Sequence, residues 1–412
     1  MKEQYKQFSR VAPCLLAIVV DYTGFGLVYP LVTAMFGKGG IFAGEPMHNF
    51  FLGLAYLLYP LGMFFGACLL GDFSDKWGRK NILIISLAGM VCSFLLMGVG
   101  VTFSSLSLFL VGRAVSGLFA GSQPLAQAAV ADISTPDDKK WNMGLISLAN
   151  NVGLIFGPLV AGIFTTQGFI RSAGYIYPFL ISAAFALIAL IWTAVSFKET
   201  YNDRPEKRIG WLRPIEIMIE AFKSEDIRPL ASILFLFQVG VALFYQMIAV
   251  YLSRVYDYPS DLLGYFYGFM GLFFVLGITL VYPVMLRLFQ LHTIVWIGFF
   301  SMSLCIFLSA AIPAQWAIWL FSALYAITNI FVWTGFLTYY SNHIDDHHQG
   351  WAMGIFTGMV ALSFMLAGWA TNLLPWISSR ALVSIGAIIS AVAGVFFLFY
   401  HLTTGRKKLQ GE

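Results

Sequence analysis

Along the chain, apolar runs about 20 residues long alternate with short polar breaks, and a window of about 19 residues sets the first six near 11–36, 48–70, 81–101, 105–131, 141–166 and 174–196. After one longer polar stretch, six more follow near 227–252, 262–285, 291–312, 316–341, 351–374 and 379–402. A bilayer's hydrocarbon core is crossed by about 20 apolar residues in helical conformation. The pattern therefore predicts an all-α polytopic membrane protein of twelve spans. The first run, Val11 to Phe36, is interrupted by Asp21 and is followed by no small-residue cleavage site. It is too long for a signal peptide and reads as the first span.

Composition agrees with that reading. Hydrophobic residues make up 59% of the chain and charged ones 11%, against roughly 25% charge in a soluble domain. The four cysteines lie inside apolar runs with no short metal-ligand spacing, so they read as small packed hydrophobes. No metal and no cofactor are expected.

Charge then orients the spans, because Lys and Arg are retained on the cytoplasmic side. With both termini inside, 19 of the 24 Lys and Arg residues fall on that side; Lys38, Arg171, Arg254 and Arg380 fall outside, and Arg113 lies within a span. An odd number of helices would scramble this division. The expected location is the inner (cytoplasmic) membrane, multi-pass, with both termini cytoplasmic.

Between Lys198 and Arg228 lies the longest polar stretch, with seven basic and seven acidic residues. It predicts a division into a six-helix bundle over 1–196, a cytoplasmic linker over 197–226 and a second six-helix bundle over 227–412. Within the linker, Trp211, Ile215, Met218 and Ile219 recur at helical spacing, which predicts a short amphipathic helix along the inner leaflet. The two halves repeat: DDKKWNMGL from Asp137 recurs as DDHHQGWAMGI from Asp345, each leading into the fifth span of its half. Parallel six-helix repeats are a transporter architecture, with the substrate site expected between the halves. His343, His347 and His348 beside Asp345 and Asp346 read as a solvated loop rather than a metal site, because the equivalent first-half loop carries Asp137 to Lys140.

Three motifs carry a resemblance. Between the second and third spans stands GDFSDKWGRK, in which Gly71, Asp75, Gly78, Arg79 and Lys80 keep the loop signature of the major facilitator superfamily. Physically, Gly71 lets a helix end approach a neighbour, Asp75 faces the positive N-terminus of another helix, and the basic residues anchor the turn at the membrane face; a positive-inside loop without a gating role is the plainer reading. Asp132, at the inner end of the fourth span, is a partner for Arg79. In the fifth span, Gly144, Gly153, Gly157, Pro158 and Gly162 resemble the superfamily's drug/proton antiporter motif, with Ala161 in place of one glycine. Gly153, Gly157, Ala161 and Thr165 recur every four residues and give one helix face for close packing, while Pro158 adds a bend. The resemblance implies a seal or pivot against leak; a plain packing stripe is the alternative. A third motif, Arg113 followed by Gly117, lies in the fourth span, and Asp21 sits where tetracycline-type exporters place an acidic residue.

Asp21 and Arg113 are the two charged residues well inside any span. A charge at mid-bilayer costs at least ~2.5 to 3.5 kcal/mol, so each requires a partner or a wet cavity. The two are expected to pair, either as a proton carrier whose carboxyl titrates as its surroundings alternate or as a structural ion pair. Phe25 and Tyr29 follow Asp21 on one helical face; Gly117, Pro124 and Gln127 follow Arg113 and would point Gln127 into the same cavity. In the second half, Gln238 with Tyr245 and Asn329 with Trp333 share faces, directed either inward or into helix-to-helix hydrogen bonds. No acidic residue lies inside a second-half span, which favours a lipophilic or zwitterionic substrate over a strongly charged one.

The resemblance implies a major facilitator fold of two pseudo-symmetric six-helix bundles, acting by alternating access as a drug/proton-type exporter and not as an enzyme. It departs from the family in the second-half copy of the loop signature, where YPVMLRLFQLHTI keeps only Arg287. The expected partners are a small-molecule substrate, protons and the lipid bilayer, without nucleic acid, and the chain is expected to be a monomer. A dedicated siderophore, sugar or metabolite carrier of the same fold, or a lipid translocase, stays open.

Overall fold

The computed structural model describes residues 2–134, 136–165, 174–200, 210–225, 227–341 and 349–410. Every extended element among them is helical. In the first half these are α1 (Lys2–Phe36), α2 (His48–Trp77), α3 (Arg79–Thr102), α4 (Leu106–Phe119), α5 (Ser122–Ile133), α6 (Pro136–Ile163) and α7 (Ile176–Ser196). The linker carries α8 (Arg213–Lys223). The second half contains α9 (Arg228–Tyr256), α10 (Ser260–Leu276), α11 (Tyr282–Leu288), α12 (Leu291–Ala311), α13 (Gln315–Ser341), α14 (Gln349–Trp369) and α15 (Ser379–Gln410).

Among the described residues, eleven helices are long and apolar enough to cross a membrane. The remaining expected span, the fourth, is present in two pieces: α4 has 14 residues and α5 has 12, each short of the ~20 that a bilayer requires. Ala120 (φ −78°, ψ 65°) and Gly121 (φ −132°, ψ 11°) leave helical geometry between them. A break inside lipid strands backbone groups, which need replacement partners. Ser86 on α3 supplies one, donating to the freed Phe119 carbonyl at 2.6 Å. Pro124 falls in the first turn of α5, where its missing N–H costs nothing. The expectation that Arg113, Gly117, Pro124 and Gln127 follow one continuous face is therefore corrected, because the register restarts at Ser122.

A second irregularity joins α10 to α11. Pro283 lacks an N–H and cannot continue a regular ladder, and the five residues Gly277–Val281 before it widen into a π-turn, the usual compromise when a helix absorbs one residue too many.

By packing, the chain divides into two compact units: Met1–Arg213 with Ser253–Gly268, and Pro214–Leu252 with Phe269–Glu412. In the first unit, glycines bring α2 and α4 into backbone contact. A Cβ on Gly66 would stand 2.1 Å from the Leu118 oxygen, and one on Gly117 would stand 2.3 Å from the Tyr59 oxygen. In the second unit, α9 meets α15 in the same way, with a Cβ on Gly240 2.7 Å from the Gly386 oxygen. The linker helix α8 has one exposed and one buried side. Trp211, Ile215, Ile219 and Phe222 are exposed, whereas Met218 turns inward with Pro214, Ile217 and Ala221, because it sits three residues from Ile215 and one from Ile219, toward the buried edge of the stripe.

Candidate functional site

Asp21 stands in the middle of α1 and is 5% exposed. Burial in an apolar bundle costs a carboxylate its hydration, so an ionised Asp21 needs substitutes for water. The break in the fourth span provides them. Ser122 is the first residue of α5, and its backbone N–H donates to Asp21 Oδ2 at 3.0 Å while its hydroxyl donates to the same oxygen at 2.5 Å. The carboxylate thus caps a half-helix whose N-terminus carries the positive end of the peptide dipoles. Asp21 Oδ1 is buried and has no hydrogen-bond partner among the described residues.

Arg113 does not meet Asp21. Its Nε donates to the Ala55 carbonyl at 3.0 Å, and its guanidinium lies over the Tyr59 ring at 4.9 Å, with Nη1 unpartnered among the described residues. The expected ion pair is therefore corrected. A carbonyl on α2 and an aromatic face hold the cation, while a helix N-terminus holds the anion, and the Tyr59 ring belongs to the same cluster as Phe25. Arg113→Lys keeps the charge but loses the planar stack, so transport is expected to fall about tenfold. Lysine-variant vesicles that transport like wild type would show that only the charge matters.

Around this pair an aromatic wall is built. Phe25 is 5.3 Å from Tyr29 and 5.7 Å from Tyr59, and Tyr29 stacks on Tyr56 at 5.6 Å and approaches Tyr267 at 6.1 Å. Gln127 is half-buried, one turn beyond the α5 terminus. Ser122 escaped the sequence reading, although Gly121-Ser122 with a proline two residues later is a helix-start signal.

In the second unit, Gln238 is fully buried with both amide atoms unpartnered among the described residues, and Tyr245 is buried two turns further along the same helix. Asn329 donates to Met302 Sδ at 3.4 Å, and Trp333 packs edge-on against Phe356 at 5.1 Å. Two buried polar residues went unread: Gln246, which donates to the Phe364 carbonyl at 3.0 Å, and Tyr325, whose ring lies 4.3 Å from Phe244 and whose hydroxyl is unpartnered among the described residues. Both sit on helices already singled out, Tyr325 one turn before Asn329.

The loop signature is ordered as a charge cluster. Arg79 pairs with Asp75 at 2.7 Å and with Asp132 at 3.4 Å, the second as expected. Gly78 has φ +96°, a conformation that side chains resist. One expectation is corrected. A Cβ on Gly71 would meet nothing within 4 Å, so close approach is delegated to Gly62 and Gly66. The N-terminus of α3 is faced by Glu199, which accepts from the backbone N–H groups of Arg79 at 2.8 Å and Lys80 at 3.2 Å. Arg213 also forms an ion pair with the buried Asp72, so both described ends of the 198–213 segment are tied to this loop.

The antiporter-type stripe divides its labour. Gly153 and Gly157 meet the backbone of α1, Pro158 packs on Gly26, and Gly162 meets Asp261 and Gly264. Gly144 faces open space, so the packing face begins at Gly153. His343, His347 and His348 lie outside the described residues.

The family model of the Major Facilitator Superfamily matches residues 14–368. The efflux pump azaK of Aspergillus niger is 26% identical over 330 residues, which cover 76% of this chain and 67% of that protein. The class H tetracycline resistance protein of Pasteurella multocida is 30% identical over 186 residues, 45% of this chain and 44% of the relative's own length. Among solved structures, the human organic anion transporter MFSD10 superimposes with a TM-score of 0.73 at 16% identity, covering 95% of this chain and 99% of that one. At that identity the likeness is one of fold.

Proposed function

The chain belongs to the major facilitator superfamily, a multi-pass membrane transporter rather than an enzyme, and from that premise we propose that it exports a small lipophilic or zwitterionic molecule in exchange for protons. The observation that carries the coupling is Asp21: a buried carboxyl within a span, one oxygen tied to Ser122 and the other open. Such a group changes its charge when its exposure alternates. Relatives named as an efflux pump and as a tetracycline resistance protein support export as the direction. The substrate class is supported by what the spans offer: aromatic rings around Arg113 in the first unit, and neutral amides and phenols at Gln238, Tyr245, Tyr325 and Asn329 in the second. These suit a ring-bearing neutral or zwitterionic compound.

We place the protein in the inner (cytoplasmic) membrane as a monomer, and the 19 to 4 division of Lys and Arg supports cytoplasmic termini. Proteoliposomes of the purified chain, given a sudden pH difference and a panel of dyes, tetracyclines and siderophores, test the reading. At least one lipophilic or zwitterionic compound is expected to move uphill while protons move the opposite way. A panel in which substrate moves only downhill, with no proton counterflow, would overturn the exchange mechanism.

A further inference from the structure

The break in the fourth span turns a new helix terminus toward Asp21. Resting on the reading of Asp21 as the proton site, we propose that Ser122 is a positioning residue that ties the protonation of Asp21 to the junction between α4 and α5. Three observations converge on it. The Ser122 N–H and hydroxyl both point at one carboxylate oxygen. The same hydroxyl has a second acceptor in reach, the Ala17 carbonyl at 3.2 Å. The other oxygen, Asp21 Oδ1, is buried and without a hydrogen-bond partner among the described residues.

A hydroxyl has one proton to donate, so Ser122 chooses between Asp21 and Ala17. While Asp21 is ionised, the charge-assisted bond wins, being about twice as strong as a neutral one. A proton arriving on Oδ1 turns Oδ2 into a neutral carbonyl oxygen. The hydroxyl then turns to Ala17, the N–H of Ser122 keeps only a weak acceptor, and the helix terminus loses the anion that opposed its dipole. No atom is lost in the cycle: one proton is bound, and one hydroxyl rotates. The ionisable groups around Asp21 are Tyr22 on α1 itself, Tyr59 on α2 and, beyond that ring, Arg113 on α4. From α3, Met90 and Phe94 reach Gly24 in this stretch of α1, and from α6 Gly153 meets Val19, Tyr22 and Thr23, all of them without a formal charge. Protonation therefore reads out at α5 rather than at a counter-ion, and α5 is the element that bears Gln127.

Infrared titration of the purified, lipid-reconstituted protein follows the Asp21 carboxyl band, assigned by its loss in Asp21→Asn, and needs no substrate. In Ser122→Ala the midpoint of that band is expected to move to more alkaline pH by about tenfold in proton concentration, the weight of a hydrogen bond to a charged group. Ser122→Thr restores the midpoint, and Ser122→Cys, a weaker donor, shifts it in the same direction as alanine. Hydrogen exchange at the 120–126 amides, corrected for intrinsic rates, is expected to quicken on acidification in the wild type and to be independent of pH in Asp21→Asn. An unmoved midpoint in folded alanine and cysteine variants, or exchange that ignores pH in the wild type, overturns the proposal. Should Asp21→Asn still transport under a pH difference, it is the proton reading of Asp21 that fails, a result that the Ser122 variants cannot mimic.

Discussion

Asp21→Asn is expected to abolish transport driven by a pH difference while leaving the protein folded. Asparagine matches aspartate in shape, and its amide oxygen still accepts from the Ser122 N–H and hydroxyl that now hold Oδ2. It cannot take up or release a proton at any working pH. A membrane potential contributes about 2.3 kcal/mol per charge per 100 mV, so exchange of one net charge sustains roughly a fifty-fold substrate gradient. In vesicles of the variant that ratio is expected to fall to one, with downhill exchange of substrate surviving. Removing a buried charge from an apolar site also lowers its desolvation cost, so the variant should unfold no more readily than the wild type in detergent. Undiminished gradient-driven uptake would sink the coupling role of Asp21 and leave the fold untouched.

That prediction rests on features the sequence makes legible to different degrees. The spans are legible because hydropathy measures the property that lipid selects. Asp21 and Arg113 are legible because a charge stands out against an apolar run, and the approach of Arg79 to Asp132 because both lie at the same membrane face. The partners of the intramembrane charges are another matter. Counting charges leaves Asp21 and Arg113 to each other, whereas a backbone amide and an aromatic ring, which carry no formal charge, take them apart. The break at Ala120–Gly121 is hidden for a similar reason: an averaging window registers how apolar a stretch is, and Leu106 to Ile133 stays apolar through a change of φ and ψ. Glycine motifs mislead in the opposite direction. Gly71 and Gly144 belong to the family-type patterns yet face open space, while Gly62 and Gly66, a GxxxG pair outside those patterns, carry the contact with α4. Close approach is a property of two helices at once, and one helix's sequence records half of it.

Gly157→Leu tests such a contact where it bears on coupling. A Cβ on Gly157 would stand 2.4 Å from the Thr23 oxygen and 2.6 Å from the Leu27 nitrogen, and one on Gly153 would stand 2.6 Å from the Val19 oxygen. These neighbours are backbone, so no side chain can swing aside. Relief requires α1 and α6 to separate, and overpacking of this kind costs typically 1–3 kcal/mol or more. The displaced helix is the one that carries Asp21, two residues before Thr23, so a shift of α1 draws the carboxylate from Ser122 as well as parting the helices. Leucine at 157 is therefore expected to remove coupled transport, at least tenfold below wild type in vesicles under a pH difference, and to let protons leak without substrate. Gly157→Ala, with one methyl, should fall between. Gly144→Leu, on the same helix but facing nothing within 4 Å, should transport normally and unfold at the wild-type temperature. If leucine at 157 behaves like leucine at 144, the tight seam between α1 and α6 has no part in coupling, because the two substitutions differ only in whether a neighbouring backbone stands in the way.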